Sequence, residues 1–175
     1  MSFWGYVRPD GSVGTRNHVL VMPQGIIAKS ICDFVPGTKT FATADHGSGR
    51  TAGDREQVAR FLIGLGRNPN VAAVVVHAGS VSAGYPELRP ERLADEIAQG
   101  GKSVEILDPA KDGGTYGTSI KGIRVARRMV HAASKLRRER VEDSGLCLGV
   151  KCGSSDTTSG IAGNPAVGYL YDKVV

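Results

Sequence analysis

A run of polar residues near the C-terminal end of the chain has the composition of a ligand-binding loop. Cys152 offers a nucleophile or soft metal ligand, Asp156 a carboxylate and Lys151 a cation. The apolar run from Leu146 to Val150 predicts a buried parallel strand before the loop, and Pro165 suits the first turn of a helix after it. A strand end, a polar loop and a helix start form the common ligand crevice of open α/β sheets. The composition fits a flexible connection of small residues equally well.

Further polar side chains follow the other predicted strands. Parallel strands place their carboxyl ends at one edge of a sheet, so these loops are expected to meet there. The residues expected to converge are Asp45, His46, Ser48, Arg50, His77, Ser80, Asp108, Lys151, Cys152 and Asp156. A single histidine at a strand end more often packs or caps than binds, but several such loops together favour a binding site. No dinucleotide fingerprint and no Walker motif is present, so the sequence does not indicate a nucleotide.

Alternating strand and helix patterns predict the elements that position these loops. Strands are expected at 18–22, 38–43, 71–76, 104–107 and 146–150. Helices are expected at 26–34, at 54–66 with Asp54 as its cap, from about Pro90 to Gly100, within 121–140 and after Pro165. Short connections predict a single Rossmann-like three-layer α/β domain with a mostly parallel sheet of about five strands and helices on both faces. We expect residues 1–17 to be an irregular lead-in and 18–175 to form this domain.

The charge pattern argues against a nucleic-acid interface. The net charge is +5, and the segment from Lys121 to Arg140 holds eight Lys or Arg residues against Glu139 alone. No aromatic residue lies among these charges, as single-strand binding would favour, so we interpret them as the solvated face of a helix. No apolar run approaches the length of a membrane span, and no signal-peptide pattern precedes the first strand. Neither a nucleic acid nor a membrane is therefore expected as a partner.

The cysteines indicate a reducing compartment. Cys32, Cys147 and Cys152 form an odd set without zinc-site spacing, which favours a reduced, cytoplasmic chain. We expect Cys147 to be buried within the last strand and Cys152 to be exposed beyond its end.

Three motifs resemble the catalytic part of the altronate/galactarate dehydratase family, in the family's order and spacing. They are Gly5-Tyr6-Val7-Arg8-Pro9-Asp10-Gly11-Ser12-Val13-Gly14-Thr15-Arg16-Asn17, Asp45-His46-Gly47-Ser48-Gly49-Arg50, and Lys151-Cys152-Gly153-Ser154-Ser155-Asp156 continuing to Asn164-Pro165-Ala166-Val167-Gly168. The resemblance covers nearly the whole chain. It implies a hydro-lyase that removes water from a sugar acid or related 2-hydroxy acid by metal-assisted β-elimination, with Fe²⁺ or Mn²⁺ as the metal.

The resemblance also implies roles for individual residues. His46, Lys151 and Asp156 are the candidate catalytic residues, and His46, Cys152 and Asp156 are the candidate metal ligands. The candidate substrate-binding residues are Arg16, Asn17, Arg50, Ser154, Ser155 and Asn164. The sequence departs from the family pattern at two places, and both remove a possible metal ligand. Ser48 stands where the family usually has a cysteine, and the segment His77-Ala78-Gly79-Ser80 lacks the further cysteine that the family usually has there. Arg50 adds a bidentate anion binder that suits a carboxylate or a sulfonate.

Alternatives remain open for the substrate and for the assembly. The chain also resembles the large-subunit branch of sulfolactate sulfo-lyase, in which a small β-rich module is a separate subunit. We expect a small-molecule carboxylate substrate, a homo-oligomer, and a chain that corresponds to the first half of the family's catalytic region and needs more protein to act. The rival hypothesis is a non-catalytic α/β module that binds a small anion.

Overall fold

A parallel sheet between two layers of helices forms the core of the chain. The computed structural model describes residues 2–41, 51–78, 84–151, 153 and 156–174. Within these, the strands are β1 (Ser2–Val7), β2 (Val13–Gly14), β3 (His18–Met22), β4 (Thr38–Lys39), β5 (Val71–His77), β6 (Ser103–Leu107) and β7 (Glu139–Glu142). The α-helices are α1 (Ile26–Phe34), α2 (Ala52–Arg67), α3 (Pro90–Ala98), α4 (Gly114–Ser134) and α5 (Asn164–Val174). No helix among the described residues is long and apolar enough to cross a membrane.

The parallel sheet has the strand order β4-β3-β5-β6, with Leu20 of β3 opposite Val74 of β5. Side chains alternate along each strand, so Val19 and Val75 pack with α1 and α4 on one face. Leu20 and Val74 pack with α2 and α3 on the other face. Both central strands are buried on both sides, which explains their nearly continuous apolar sequences. The predicted α/β class, parallel sheet and helices on both faces are therefore confirmed.

The predicted fifth parallel strand is wrong. Residues 146–150 have no regular secondary structure, and Cys147, which we expected to be buried, is exposed. The apolar run offers a strand-like composition, but no described strand pairs with it, and Gly149 lowers its strand propensity. α5 follows at the predicted place with Pro165 in its first turn, yet none of its residues is buried.

The N-terminal segment is not irregular, as we expected, but forms a second sheet. β1 pairs in antiparallel fashion with β2 on one side and with β7 on the other. The turn between β1 and β2 lies at Pro9-Asp10-Gly11, where Gly11 has a φ of +81°. The predicted basic helix likewise ends at Ser134 instead of extending to Arg140, because the residues beyond it enter β7.

Two smaller boundaries also differ from the prediction. The cap of α2 is Thr51, whose hydroxyl accepts a hydrogen bond from the Asp54 amide while the Asp54 carboxylate accepts one from the Thr51 amide. Asp54 therefore completes a capping box instead of being the cap itself. β4 covers only Thr38–Lys39, and the end of the predicted strand at 42–43 lies outside the described residues.

Arg8 attaches the antiparallel sheet to the amino edge of the parallel sheet. Its buried guanidinium donates from Nε to the Pro69 carbonyl at 2.7 Å and from Nη2 to the Arg16 carbonyl at 3.1 Å. Asn70, beside Pro69, accepts at Oδ1 from the amides of Thr15 and Arg16, at 2.8 and 2.9 Å. These bonds pair backbone groups of the segment before β3 and of the turn before β5, and so join the two segments. In the described chain, the first family-like motif therefore has a structural role, because its Arg8 links the antiparallel sheet to the parallel sheet.

We expect Arg8→Lys to lower the free energy of unfolding by about 1–3 kcal/mol. A lysine ammonium cannot replace the guanidinium that donates to the Pro69 and Arg16 carbonyls at the same time. Urea unfolding followed by circular dichroism measures the change. The matched control is Arg140→Lys in β7, where Nε donates to the Ser2 hydroxyl at 2.7 Å on the exposed surface. The control should stay within about 0.5 kcal/mol of the unmodified chain. Equal losses in the two variants would show that Arg8 is no more than a surface contact.

Candidate functional site

The carboxyl edge of the parallel sheet has a topological switch point between β3 and β5, which we refer to as the crevice. The connection after β3 leads through α1 to β4 on one side, and the connection after β5 leads through α3 to β6 on the other. The two loops therefore leave neighbouring strands in opposite directions. In open α/β sheets such a switch point is the usual place for a ligand.

His77 ends β5 at this switch point, with only 3% of its surface exposed. Its Nε2 lies 2.7 Å from the carbonyl oxygen of Pro23, in the loop after β3. A carbonyl only accepts hydrogen bonds, so Nε2 carries the proton and Nδ1 presents its lone pair. Burial lowers the pKa of His77, and hydrogen bonds from the ring to the backbone of Pro23 and of Ala78 oppose this effect only in part. Burial therefore favours the neutral form of the ring, and the bond to Pro23 favours the tautomer with the proton on Nε2.

Nδ1 of His77 is buried and has no hydrogen-bond partner in the part of the chain that the structure describes. Nearly all buried polar atoms in folded proteins are paired, so an unpaired acceptor calls for a specific reason. The ring borders the start of α1, since a Cβ placed on Gly25 would lie 3.9 Å from Cε1 of His77.

The start of α1 is the second unsatisfied feature of the crevice. Gly25 is its N-cap residue; no side chain among the described residues caps the helix, and its first turn holds no acidic residue. The first amides of an α-helix have no partner within the helix and carry a partial positive charge. Gln24, Gly25 and Ile26 are exposed, so this helix end is open to solvent. The start of α1 therefore lies beside the His77 ring at this strand switch.

Asp108, which follows β6 at the same edge, has a local role. Its Oδ1 accepts from the Ala110 amide at 3.0 Å, and its Oδ2 lies 3.2 Å from Nζ of Lys111. The Asp108 amide donates to Asp112 at 2.9 Å. These contacts shape the turn that leads into α4.

Arg16 and Asn17 lie at the amino edge of the sheet, at the opposite end of β3 from the crevice. The five residues of β3 separate the two edges by roughly 16 Å. Asn17 donates from Nδ2 to the Ala133 carbonyl at the end of α4, at 2.7 Å, while its Oδ1 is buried without a partner among the described residues. The structure therefore does not bring these two predicted substrate-binding residues to the strand ends.

The described residues of the C-terminal motif lie in a surface segment. Lys151 and Asn164 are exposed. Asp156 accepts at Oδ1 from the amide of Ser159 at 3.0 Å and from the hydroxyl of Thr158, which caps the helical turn that begins there. Tyr171 of α5 donates to the Leu148 carbonyl at 2.8 Å. His46, Arg50, Cys152, Ser154 and Ser155 lie outside the described residues, so their predicted roles stay predictions.

A metal centre does not emerge from the described residues, where no three His, Cys, Asp or Glu side chains come together. Of the predicted ligands, only Asp156 is among them, and one of its oxygens is engaged in the cap. The residue that the sequence undervalued is His77, which we placed at the sheet edge without giving it a role. The sequence feature that could have drawn attention to His77 is its position as a polar residue at the end of β5, the most apolar strand described.

We expect the stability of the chain to fall as the pH drops below about 6.5, because the unfolded chain protonates His77 more readily than the folded chain does. His77→Gln keeps an amide donor for Pro23 but does not titrate, so its free energy of unfolding should depend less on pH between about 8 and 5. Urea unfolding at several pH values measures this slope. His131→Gln, at an exposed position of α4, is the control. A slope that His77→Gln leaves unchanged would mean that His77 is protonated in the folded chain.

Comparison with known proteins identifies the family. Residues 5–134 match the family described as D-galactarate dehydratase/Altronate hydrolase, second domain, and residues 143–175 match D-galactarate/Altronate dehydratase, C-terminal. The chain is 39% identical over 99% of its length to (2R)-sulfolactate sulfo-lyase subunit beta of Chromohalobacter salexigens, and covers 43% of that protein. It is 27% identical over 99% of its length to altronate dehydratase of Bacillus subtilis, and covers 36% of it. It is 31% identical over 66% of its length to galactarate dehydratase (L-threo-forming) of Escherichia coli, and covers 23% of it.

The chain thus spans less than half the length of these curated relatives. The family match nevertheless covers most of the chain itself and confirms the resemblance that the three motifs indicated. The chain belongs to the D-galactarate dehydratase/altronate hydrolase family.

Proposed function

We propose that the protein is a lyase that eliminates water from a sugar acid or a related 2-hydroxy acid. The observation that carries this proposal is the family match over residues 5–134, whose described members are dehydratases. The crevice between β3 and β5 supports it, because a strand switch point is where α/β enzymes place their substrates.

A second candidate is elimination of sulfite from sulfolactate. The identity of 39% to the sulfo-lyase subunit, against 27% and 31% to the altronate and galactarate dehydratases, favours it. Arg50, which follows β4 in the sequence, would suit a sulfonate as well as a carboxylate. Both substrates are 2-hydroxycarboxylates, so one binding site for that unit serves either reaction.

The two reactions share their first step. A base takes the proton from C2, and the electrons of that bond form a C2–C3 double bond. The bond from C3 to the leaving group breaks, and the electron pair departs with hydroxide or with sulfite. Hydroxide needs a proton from an acid and sulfite does not. The resulting enol tautomerises to a 2-keto acid, and no oxidant is needed.

We propose His46 and Lys151 as the acid and base, with Asp156 in support, and Arg50, Ser154, Ser155 and Asn164 as contacts to the substrate. Arg16 and Asn17 lie at the amino edge of the sheet. They would contact the substrate only if it reached that edge. Fe²⁺ or Mn²⁺ on His46, Cys152 and Asp156 would lower the pKa of the C2 proton. The described residues do not assemble that metal set, so no step is derived from it.

We also propose that the protein works with a second, small β-rich subunit and as a homo-oligomer in the cytoplasm. The name of the sulfo-lyase relative, a subunit beta, supports a separate partner chain. The 175-residue chain without further protein should then show little or no turnover.

The assay that tests the function offers altronate, galactarate and (2R)-sulfolactate to the full natural assembly, and measures 2-keto acid and sulfite separately. We expect 2-keto acid from a sugar acid without sulfite, with turnover in the usual range of about 1–1,000 per second. Sulfite released in equal amount to the keto acid would select the second candidate. His46→Gln should reduce turnover by about a hundredfold or more, and His131→Gln should not. Absence of keto acid from all three substrates contradicts the proposed function.

Metal dependence is tested on protein purified without oxygen. We expect iron or manganese to copurify in an amount equal to the protein, and a chelator to remove the metal and the activity together. Cys152→Ser should lose most of the bound metal, whereas Cys32→Ser, in α1 and away from the motif, should retain it. Full activity in metal-free protein would rule out the metal.

A further inference from the structure

Arg55 joins two connections that leave the carboxyl edge of the parallel sheet. It lies near the start of α2, and its guanidinium donates to both carboxylate oxygens of Glu87, from Nε to Oε2 at 3.2 Å and from Nη2 to Oε1 at 3.1 Å. Its Cζ atom lies 4.4 Å from the centre of the Tyr85 ring. The side chains of Arg55 and Glu87 are only 15% and 17% exposed. Two parallel hydrogen bonds and one ring face therefore hold the guanidinium in a single orientation.

The partners of Arg55 are themselves fixed by the hydrophobic core. Tyr85 packs against the buried residues between the parallel sheet and the layer of α2 and α3. Glu87 lies in one turn of 3₁₀-helix at Pro86–Leu88, and Leu88 of that turn is buried among the same residues. We call Arg55, Tyr85 and Glu87 the Arg55 cluster. It ties the start of α2 to the segment that leads from β5 into α3.

The topology of the sheet gives the Arg55 cluster its place. α2 follows β4, and a helix that follows a parallel strand begins at the carboxyl end of that strand. β3 lies between β4 and β5 in the sheet. The cluster therefore joins the connections that leave the two neighbours of β3. The first of these connections contains the motif from Asp45 to Arg50, which directly precedes Thr51, the cap of α2.

Other contacts already hold α2 against α3. Arg92 of α3 pairs with Glu56 of α2 at 2.7 Å, and Arg67 at the far end of α2 donates from Nε to the Glu96 carbonyl at 2.9 Å. Apolar side chains of both helices also share one part of the core. The Arg55 cluster adds to these contacts a link at the carboxyl edge, between the start of α2 and the 3₁₀ turn. Its position is thus better explained by the edge of the sheet than by helix packing alone.

We propose that Arg55 is a positioning residue of the lyase, which fixes the connection that contains His46 and Arg50 relative to the connection that follows β5. This inference rests on the proposed function. Arg55 acts through Tyr85 and Glu87 and does not contact the substrate. Reacting groups have to be held within about 0.5 Å of their productive geometry. A displacement of about 1 Å costs on the order of a hundredfold in rate.

The main test compares Arg55→Lys with Arg67→Lys in the full natural assembly. Lysine keeps the positive charge at both positions but lacks the planar fork of arginine. We expect Arg55→Lys to lower kcat about ten- to a hundredfold on the substrate that the unmodified protein turns over. Arg67→Lys, in the same helix but at the amino edge, should stay within about twofold. Each kcat is divided by the folded fraction from circular dichroism, so a loss of stability alone does not lower it.

A double-mutant cycle tests whether Arg55 acts through its partner. Arg55→Ala, Glu87→Ala and the double variant should lose kcat to about the same extent, because each of them breaks the same link. A direct contact between Arg55 and the substrate would give a larger loss in Arg55→Ala than in Glu87→Ala, with a further loss in the double variant. That result would overturn the positioning role.

Hydrogen exchange tests the same link without catalysis. The Leu88 amide donates to the Tyr85 carbonyl at 3.1 Å, so its exchange reports on the 3₁₀ turn. We expect Arg55→Lys to speed exchange in residues 84–89 and to leave β6 unchanged. Arg67→Lys should leave exchange in residues 84–89 as it is in the unmodified protein.

The role of Arg55 and the proposed function can fail separately. Unchanged kcat in Arg55→Lys, an equal loss in Arg67→Lys, or unchanged exchange in residues 84–89 overturns the positioning role and leaves the function standing. If the unmodified assembly turns over none of altronate, galactarate and (2R)-sulfolactate, the proposed function falls and this role falls with it. The unmodified protein therefore distinguishes the two failures.

Discussion

Burial of β3 and β5 on both faces is the constraint on which the rest of the structure depends. Val19 and Val75 face one helical layer and Leu20 and Val74 the other, so neither strand has a side that could tolerate polar residues. Polar chemistry is thereby confined to the two ends of the strands. Parallel pairing sends all strands in one direction, which makes the two ends of the sheet chemically different.

The two ends use their polar groups in different ways. At the amino edge, Arg8 and Asn70 pair with backbone groups, and Lys102, which is buried, donates to the Val71 carbonyl at 2.6 Å. Burial lowers the pKa of Lys102 to about 8, so this edge accepts an electrostatic cost for its bonds. At the carboxyl edge, the His77 ring hydrogen-bonds the backbone of Pro23, and no side chain among the described residues caps the start of α1. Most polar groups at the amino edge are thus engaged in bonds within the protein, with Asn17 Oδ1 as an exception among the described residues.

The main elements of the parallel sheet could be predicted because each has a sequence pattern within its own residues. α1 matches its predicted bounds, and β3 and β5 agree within a residue, since apolar runs and helical spacing are local signals. The antiparallel sheet could not be predicted, because the sequence of β7, Glu-Arg-Val-Glu, is mostly polar and its partner β1 lies at the other end of the chain. The apolar run at 146–150 led to a wrong strand prediction, because a strand also needs a neighbouring strand to pair with. The composition of the run does not show whether such a neighbour is present. For the site, the convergence of strand ends located His77, but its tautomer and missing partner follow only from three-dimensional contacts.

The pairing of β1 with β7 has a consequence for how the chain folds during synthesis. Ser2 and Arg140, which share a hydrogen bond across the two strands, are 138 residues apart in sequence. β1 is synthesised before the other described strands, yet one of its two neighbours is made only after all four parallel strands of the described chain and their helices. Closing so long a loop is entropically costly and slow, so the parallel sheet has time to form before β1 gains its second partner. β1 is then the earliest of the described strands to be made and among the last to be fully paired, so until β7 is added its unpaired edge is open to incorrect pairing.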